Sequence, residues 1–399
     1  MAVRLSVRLF AKNWRQFIKM THLFNNYGRF ETEIVSGKGL KVLDQNGKEY
    51  VDFTSGIGVC NLGHCHEQVT KAAETQLKQL WHISNLFQSS LQEQVAEKLI
   101  NHSFDAKVFF CNSCAEANEA ALKLARKYTG KEKVITFNQS FHGRTFGTMA
   151  ATGQDKIKQG FGKMLETFVH VPYNDLAAVK AEIDEETAAV MLEVIQGEGG
   201  VNPADADFLQ ALSQLCKEHN ILLILDEIQT GIGRTGKPFA YQHFDIQPNI
   251  ITSAKALGNG LPVGALIAQP EIAKSFQPGS HGSTFGGNPV AMAAANETIS
   301  IIFKDEFLQA VQEKGDYLAN QLREKLAGND QVVAIRHKGL MFGIELKTEV
   351  ASYMTQLREK GLLVLVAGPN VIRLLPALTV TYDEMDTAVQ LIAEILNQK

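Results

Sequence analysis

Apolar runs alternate with helix-like stretches through the middle of the chain. Lys107-Val108-Phe109-Phe110-Cys111 reads as a strand, and Glu116 to Lys127 as an Ala-rich helix. Val134-Ile135-Thr136-Phe137 and Ala188-Ala189-Val190-Met191-Leu192 are strand-like. Phe208 to His219 is helical by spacing and feeds a further apolar run, Ile221 to Leu225, that ends in Asp226. Ile250-Ile251-Thr252 leads to Lys255, and Val263-Gly264-Ala265-Leu266-Ile267 follows. Strands this continuously apolar, alternating with helices, predict a largely parallel sheet in an α/β fold. Ligands in such sheets bind outside the carboxyl ends of the strands, and both Asp226 and Lys255 fall there.

The C-terminal stretch has a different pattern. Glu306 to Leu326 is a long amphipathic helix by spacing. Gly343-Ile344-Glu345-Leu346 and Val371-Ile372-Arg373-Leu374-Leu375 look like strands of a smaller α+β unit, and Glu384 to Leu396 reads as a closing helix.

Composition narrows the function classes. A chain of 399 residues, 45% hydrophobic and 21% charged, is long enough for two domains. A formal net charge of -4 argues against a nucleic-acid binder, which is normally basic. No apolar run reaches the roughly 18 residues expected of a membrane span. The five cysteines, Cys60, Cys65, Cys111, Cys114 and Cys216, are odd in number and sparse, which fits a reducing, cytoplasmic setting better than a disulfide framework. Cys111 and Cys114 spell C-x-x-C, but Cys60 and Cys65 lack the matching spacing for a zinc site, so no metal is expected.

The first residues stand apart. Arg4, Arg8, Lys12, Arg15 and Lys19 recur at helical spacing with no acid among them. This resembles a mitochondrial presequence or a membrane-surface helix. A translation start at Met20 is the alternative, and residues 1–19 are left out of the fold reading as a basic extension.

Candidate chemistry gathers around Lys255. It opens a loop built for bending, Ser253-Ala254-Lys255-Ala256-Leu257-Gly258-Asn259-Gly260-Leu261-Pro262. Most lysines are solvated surface charges and most acids at strand ends are caps. A lysine and a carboxylate at the ends of two buried strands nevertheless suggest a pyridoxal phosphate site, with Lys255 forming the Schiff base and Asp226 holding the pyridine nitrogen protonated. Ser113 can cap the helix that follows Asn112-Ser113-Cys114-Ala115-Glu116-Ala117-Asn118-Glu119, and the first-turn amides would face an anion. Phe141-His142-Gly143-Arg144-Thr145 offers an aromatic face and a cation able to clamp a carboxylate.

Two nucleotide signatures are decoys. Gly231-Ile232-Gly233-Arg234-Thr235-Gly236 spells G-x-G-x-x-G, yet Pro238 forbids a prompt helix. Read as a P-loop, the same segment puts Pro238 where a Ser or Thr must bind magnesium.

The chain resembles the class III (subgroup II) aminotransferases of fold type I, from about Tyr27 to the C-terminus. The motifs that carry this are specific in combination. They are Asp52-Phe53-Thr54-Ser55-Gly56-Ile57, the Asn112 to Glu119 cap, Phe141 to Thr145, Gln196-Gly197-Glu198-Gly199-Gly200 and Leu225 to Gly231. The Lys255 loop, Gly282-Ser283-Thr284-Phe285-Gly286-Gly287-Asn288-Pro289 and Val371 to Pro376 complete the set. Within the family the chain is similar to acetylornithine aminotransferases, enzymes of arginine biosynthesis.

The resemblance implies a large domain over residues 61–289, with a smaller domain built from 20–60 and 290–399. Lys255 would be the Schiff-base lysine and proton shuttle, and Asp226 the partner of the pyridinium nitrogen. Gln229 would lie near the ring hydroxyl, and Phe141 would stack on the ring. Ser113, Cys114 and Ala115 would hold the phosphate. Thr284 would reach the phosphate of a neighbouring subunit in a homodimer. Arg144 and Ser283 would receive the acetylornithine end of the donor, with Tyr27 and Ile57 also at the substrate. Arg373 would bind the α-carboxylate of glutamate and 2-oxoglutarate, and Glu198 would pair with it when that carboxylate is absent. Two departures from the family pattern bear on this. Cys114 stands where a glycine or small residue is usual, at a helix N-terminus where thiolate is favoured, and its oxidation is expected to weaken cofactor binding. Ile57 stands where ornithine aminotransferases tend to have tyrosine, which favours an acetylated donor over ornithine, succinylornithine or 4-aminobutyrate.

Overall fold

The computed structural model describes residues 22–398; the basic extension of residues 1–19 lies outside them. Its first strands are β1 (Ile34–Lys38), β2 (Lys41–Asp44) and β3 (Glu49–Asp52). The central part of the chain supplies β4 (Lys107–Cys111), α1 (Cys114–Thr129), β5 (Lys133–Phe137), β6 (Phe168–Val171), β7 (Thr187–Leu192), α2 (Ala206–His219), β8 (Leu222–Asp226), β9 (Ile250–Ser253) and β10 (Gly264–Ala268). Then come α3 (Pro289–Ile302), α4 (Asp305–Lys325), β11 (Val332–Lys338), β12 (Met341–Leu346), β13 (Leu362–Leu363), β14 (Leu365–Ala367), β15 (Val371–Leu374) and α5 (Tyr382–Leu396).

The seven central strands form one sheet in the order β4-β10-β9-β8-β7-β5-β6. Strands β9, β8, β7, β5 and β6 pair in parallel, and β10 runs antiparallel to both of its neighbours. The mostly parallel α/β sheet expected from the apolar runs is therefore present, with one reversed strand. The alternation within those runs is physical. Ala189, Met191, Leu222, Ile224, Ile250 and Leu266 pack in one cluster with the Ala-rich face of α1. Their neighbours Val190, Leu192, Leu223, Leu225, Ile251 and Ile267 pack in the other with Phe208, Leu209 and Leu212 of α2. Successive side chains of a strand point to opposite faces, so a sheet covered on both sides needs apolar residues at every position.

Helix ends are marked chemically. Ser113 caps α1 by accepting from Glu116 N, and Gly130 closes it in the left-handed region at φ 72°. Pro289 opens α3 behind the Asn288 cap, and Thr381 with Glu384 forms a capping box on α5.

Two smaller sheets complete the fold. One is antiparallel, in the order β11-β12-β15-β14. The other joins β1, β2 and β3 to β13, with Leu362 opposite Val51. This pairing brings the start of the described chain against its C-terminal part. No helix among the described residues is long and apolar enough to cross a membrane.

The glycine-rich decoy segment has a structural use. Arg234 is fully buried, and its guanidinium donates to Leu340 O at 3.0 Å, Pro376 O at 2.6 Å and Asn61 Oδ1 at 2.5 Å. The tight turns around it let one side chain tie three distant segments together.

Candidate active site

Four adjacent strands of the central sheet deliver polar groups to one edge. Strand β5 runs on into Phe141 and His142, β7 into Glu193, β8 ends at Asp226, and β9 leads into Lys255. Side chains from all four strand ends line a single cavity, closed on one side by Cys114 and Asn118 of α1.

Asp226 is buried and held from three directions. Its Oδ2 accepts Asn118 Nδ2 at 2.8 Å and lies 2.8 Å from His142 Nδ1, and its Oδ1 accepts Ile228 N at 3.1 Å. Asn118 is itself fixed, donating to His142 O at 2.7 Å and accepting from Thr252 Oγ1 at 2.7 Å. Burial works against a charged imidazole at His142, but the hydrogen bond to and charge of Asp226, with Glu193 behind, outweigh it and raise the ring's pKa. The neighbouring acid does something else. Glu227 accepts from Thr230 Oγ1, Ala240 N and Tyr241 N, and so pins the turn that follows β8. Burial pushes it up to about 6.

Lys255 opens a short 3-10 turn with φ 45°, a left-handed conformation that side-chain-bearing residues adopt at a cost. Its amine makes no hydrogen bond to the described residues, and its charge acts on both Cys114 and Glu198. Facing it, the N-terminus of α1 presents the amides of Cys114 and Ala115 without protein partners among the described residues, while the amides of Glu116 and Ala117 are taken by Ser113. Gly264 makes room for this loop, because a Cβ there would lie 2.6 Å from Ser113 O. One expectation is corrected here. Burial pushes the Cys114 thiol up, and the pull of Lys255 and of two backbone amides does not offset it. The helix N-terminus does not make this cysteine a thiolate, because desolvation exceeds the dipole's effect.

Arg373, on β15, is 2% exposed. Its Nη1 donates to Glu198 Oε1 at 2.7 Å, Gln229 Oε1 at 3.0 Å and Gly197 O at 2.9 Å, while its Nε is buried without a protein partner. Burial would raise the Glu198 pKa, but the charge of Arg373 lowers it. This is a cation whose acid partner is 31% exposed and can swing away.

The remaining expected site residues lie elsewhere. Arg144 is exposed and sits over the Phe141 ring, 5.6 Å from its centroid. Ser283 Oγ accepts from Asn112 Nδ2 and Gly286 N, each at 3.0 Å, and lines a separate groove with Asn85 and Phe109. Thr284 is exposed beside Phe285. Ile57, at φ 69°, is 44% exposed, and Tyr27 is exposed under the guanidinium of Arg29. None of these five reaches the Lys255 cavity from within its own chain.

Sequence reasoning passed over three groups. His142 and Asn118 sit inside motifs singled out for their neighbours. Glu193 had the signal that marked Asp226, since it too follows an apolar strand, Ala188 to Leu192.

The donor set fits pyridoxal phosphate. The cavity pairs a primary amine with a buried carboxylate, as an aldehyde and a ring nitrogen require, and two unpartnered helix amides suit a phosphate. Comparisons with known proteins agree. The family described as aminotransferase class-III matches residues 24–396. An acetylornithine aminotransferase of Bacillus anthracis is 59% identical over 380 residues, 95% of this chain and 98% of that protein. The solved ornithine aminotransferase of Toxoplasma gondii ME49 has a TM-score of 0.90 at 31% identity, covering 96% of this chain and 97% of that one. The solved N-acetylornithine aminotransferase of Stenotrophomonas maltophilia K279a has a TM-score of 0.81 at 35% identity, over 92% and 96%. The amine, the acid and the arginine thus meet in a chain that matches one family almost from end to end, and the protein belongs to the class-III aminotransferases, enzymes that use pyridoxal phosphate.

Proposed function

We propose that the protein transfers the δ-amino group of N2-acetylornithine to 2-oxoglutarate, giving N-acetylglutamate 5-semialdehyde and glutamate, a step of arginine biosynthesis. The observation that carries this reading is the buried Arg373 held by Glu198 beside the Lys255 cavity. An arginine closed by an internal acid can accept the α-carboxylate of glutamate or 2-oxoglutarate when Glu198 swings out. With Glu198 in place, its charge is cancelled and a donor with no carboxylate there is admitted. The acetylated donor is supported by the 59% identical relative and by the aliphatic Ile57.

Pyridoxal phosphate supplies, when bound, an electron sink for charge developing at the carbon that bears the amine. The chain's residues do the rest. The amides of Cys114 and Ala115, with the Ser113 hydroxyl, would hold the phosphate, and Phe141 would cover a ring face. Asp226, oriented by Asn118 and His142, would hold a proton at the ring nitrogen. Gln229 would sit by the ring hydroxyl. Lys255 Nζ carries the cofactor and then takes the proton from the donor's δ-carbon. Arg144, Ser283, Tyr27 and Ile57 would complete the donor pocket.

Four further assignments belong to this reading. The active unit is a homodimer in which Thr284 serves the neighbouring subunit's phosphate, consistent with its outward position. Residues 61–289 form the large domain, and 20–60 with 290–399 the small one, supported by the β3–β13 pairing. The setting is the cytoplasm, as befits a chain whose relatives are bacterial. The mitochondrial alternative rests on residues outside the described chain and finds no support in those relatives.

Steady-state rates across N-acetylornithine, ornithine, succinylornithine and 4-aminobutyrate test the donor. The highest kcat/KM is expected for N-acetylornithine; a higher value for any of the other three would overturn the assignment.

A further inference from the structure

We propose that Glu193 is a positioning residue whose carboxylate ties the loop bearing Phe141 to the turn bearing Glu198, setting the ring-covering wall and the carboxylate gate in register. The inference rests on the roles given above to Phe141, Glu198 and Arg373.

Glu193 follows β7, between the strand ends that deliver His142 and Asp226. Its two oxygens serve different segments: Oε1 accepts Phe141 N at 2.9 Å, and Oε2 accepts Gly197 N at 3.0 Å. The chain on its other side is fixed as well, since Tyr173 OH donates to Glu193 O at 2.6 Å. The tie reaches the gate in one more step. Gly197, whose amide Glu193 holds, gives its carbonyl to Arg373 Nη1, and the next residue is Glu198. The turn has no slack, because a Cβ on Gly197 would lie 2.2 Å from Gln229 Oε1.

A packing role would be met by an apolar side chain. Burying an acid carries a desolvation cost, and that burial pushes Glu193 up to about 7. What an acid offers at this length is an acceptor at both ends. Glutamine accepts at one end and donates at the other, so it can hold one of the two segments but not both.

The diagnostic substitution is therefore Glu193→Gln, studied as the holoenzyme for turnover and as apoprotein for reconstitution. The Kd for pyridoxal phosphate reads the Phe141 side, and the Kd for glutarate, a dicarboxylate with no keto group, reads the Arg373 side. Losing a charge-assisted hydrogen bond should raise at least one of them about tenfold, with KM for 2-oxoglutarate following the glutarate value and the protein still folded. Both constants within twofold of wild type in a folded variant would overturn the proposal. Amide exchange in the wild type gives a second test that needs no folded variant. Glutarate should slow exchange at Phe141 together with Gly197; slowing confined to the Gly197 turn would overturn it. Lys255 labelling separates the two levels. A labelled Lys255 with unaltered constants sinks the Glu193 role alone, whereas an unlabelled Lys255 sinks the functional reading beneath it.

Discussion

Asp226, Glu198 and Arg373 are polar groups taken out of water, and each is held by named partners that make the burial tolerable. For Arg373 one partner is replaceable, and that gives a directional prediction. Arg373→Ala should raise KM for 2-oxoglutarate by about two orders of magnitude, the worth of a lost charge-assisted pair, and disturb the acetylornithine half-reaction far less. Single-turnover kinetics of the two halves measures this, and equal damage to both would contradict the role. Cys114 gives a prediction of absence. With its thiol pushed up by burial, peroxide at neutral pH should leave the Kd for pyridoxal phosphate unchanged, as measured by reconstitution; a weakened Kd relieved by Cys114→Ala would contradict it. Lys255 and Asp226 were legible in the sequence because apolar strands lead to both. The groups that hold Asp226 were not, since Asn118 and His142 lie 108 and 84 residues away from it and only the folded sheet brings them together.

Elements were legible where both faces of a strand are covered, as in β7 and β8, whose every position is buried. The first sheet was not, because β1 is mostly exposed and β3 finds its parallel partner, β13, in the far C-terminal part of the chain. The end of β3 carries a latch that sequence alone did not single out. Asp52 Oδ1 accepts Thr54 N and Oγ1 and Ser55 N, holding the left-handed turn that bears Ile57, and its Oδ2 meets His64 Nε2 at 2.8 Å. The hydrogen bond to Asp52, with help from Cys60, raises the His64 pKa to about 10 from an ordinary 6.5. A folded pKa above the unfolded one means stability that is complete below about pH 6.5 and is lost as pH climbs toward about 10. Chemical denaturation across that range should show wild type losing stability more steeply than His64→Gln; parallel slopes would remove the latch.

At the scale of the whole molecule, the site is built to be finished by a second copy. Leu80, Trp81, Ile83, Leu86 and Phe87 are exposed on the segment that holds the Thr284 loop, where Asn85 Nδ2 donates to Ser283 O at 3.1 Å and Gly286 O at 2.9 Å. Apolar surface of this extent marks an interface. Light scattering should give a dimer, and Thr284→Ala should weaken pyridoxal phosphate binding about tenfold. Mixed dimers of Thr284→Ala and Lys255→Ala chains should regain one sound site each, and a failure to regain activity would place Thr284 in its own subunit's site or in none. The central claim concerns one amine. Borohydride reduction of the protein loaded with pyridoxal phosphate, followed by peptide mapping, should find the cofactor fixed to Lys255. Its attachment to any other lysine, or to none, would contradict the account.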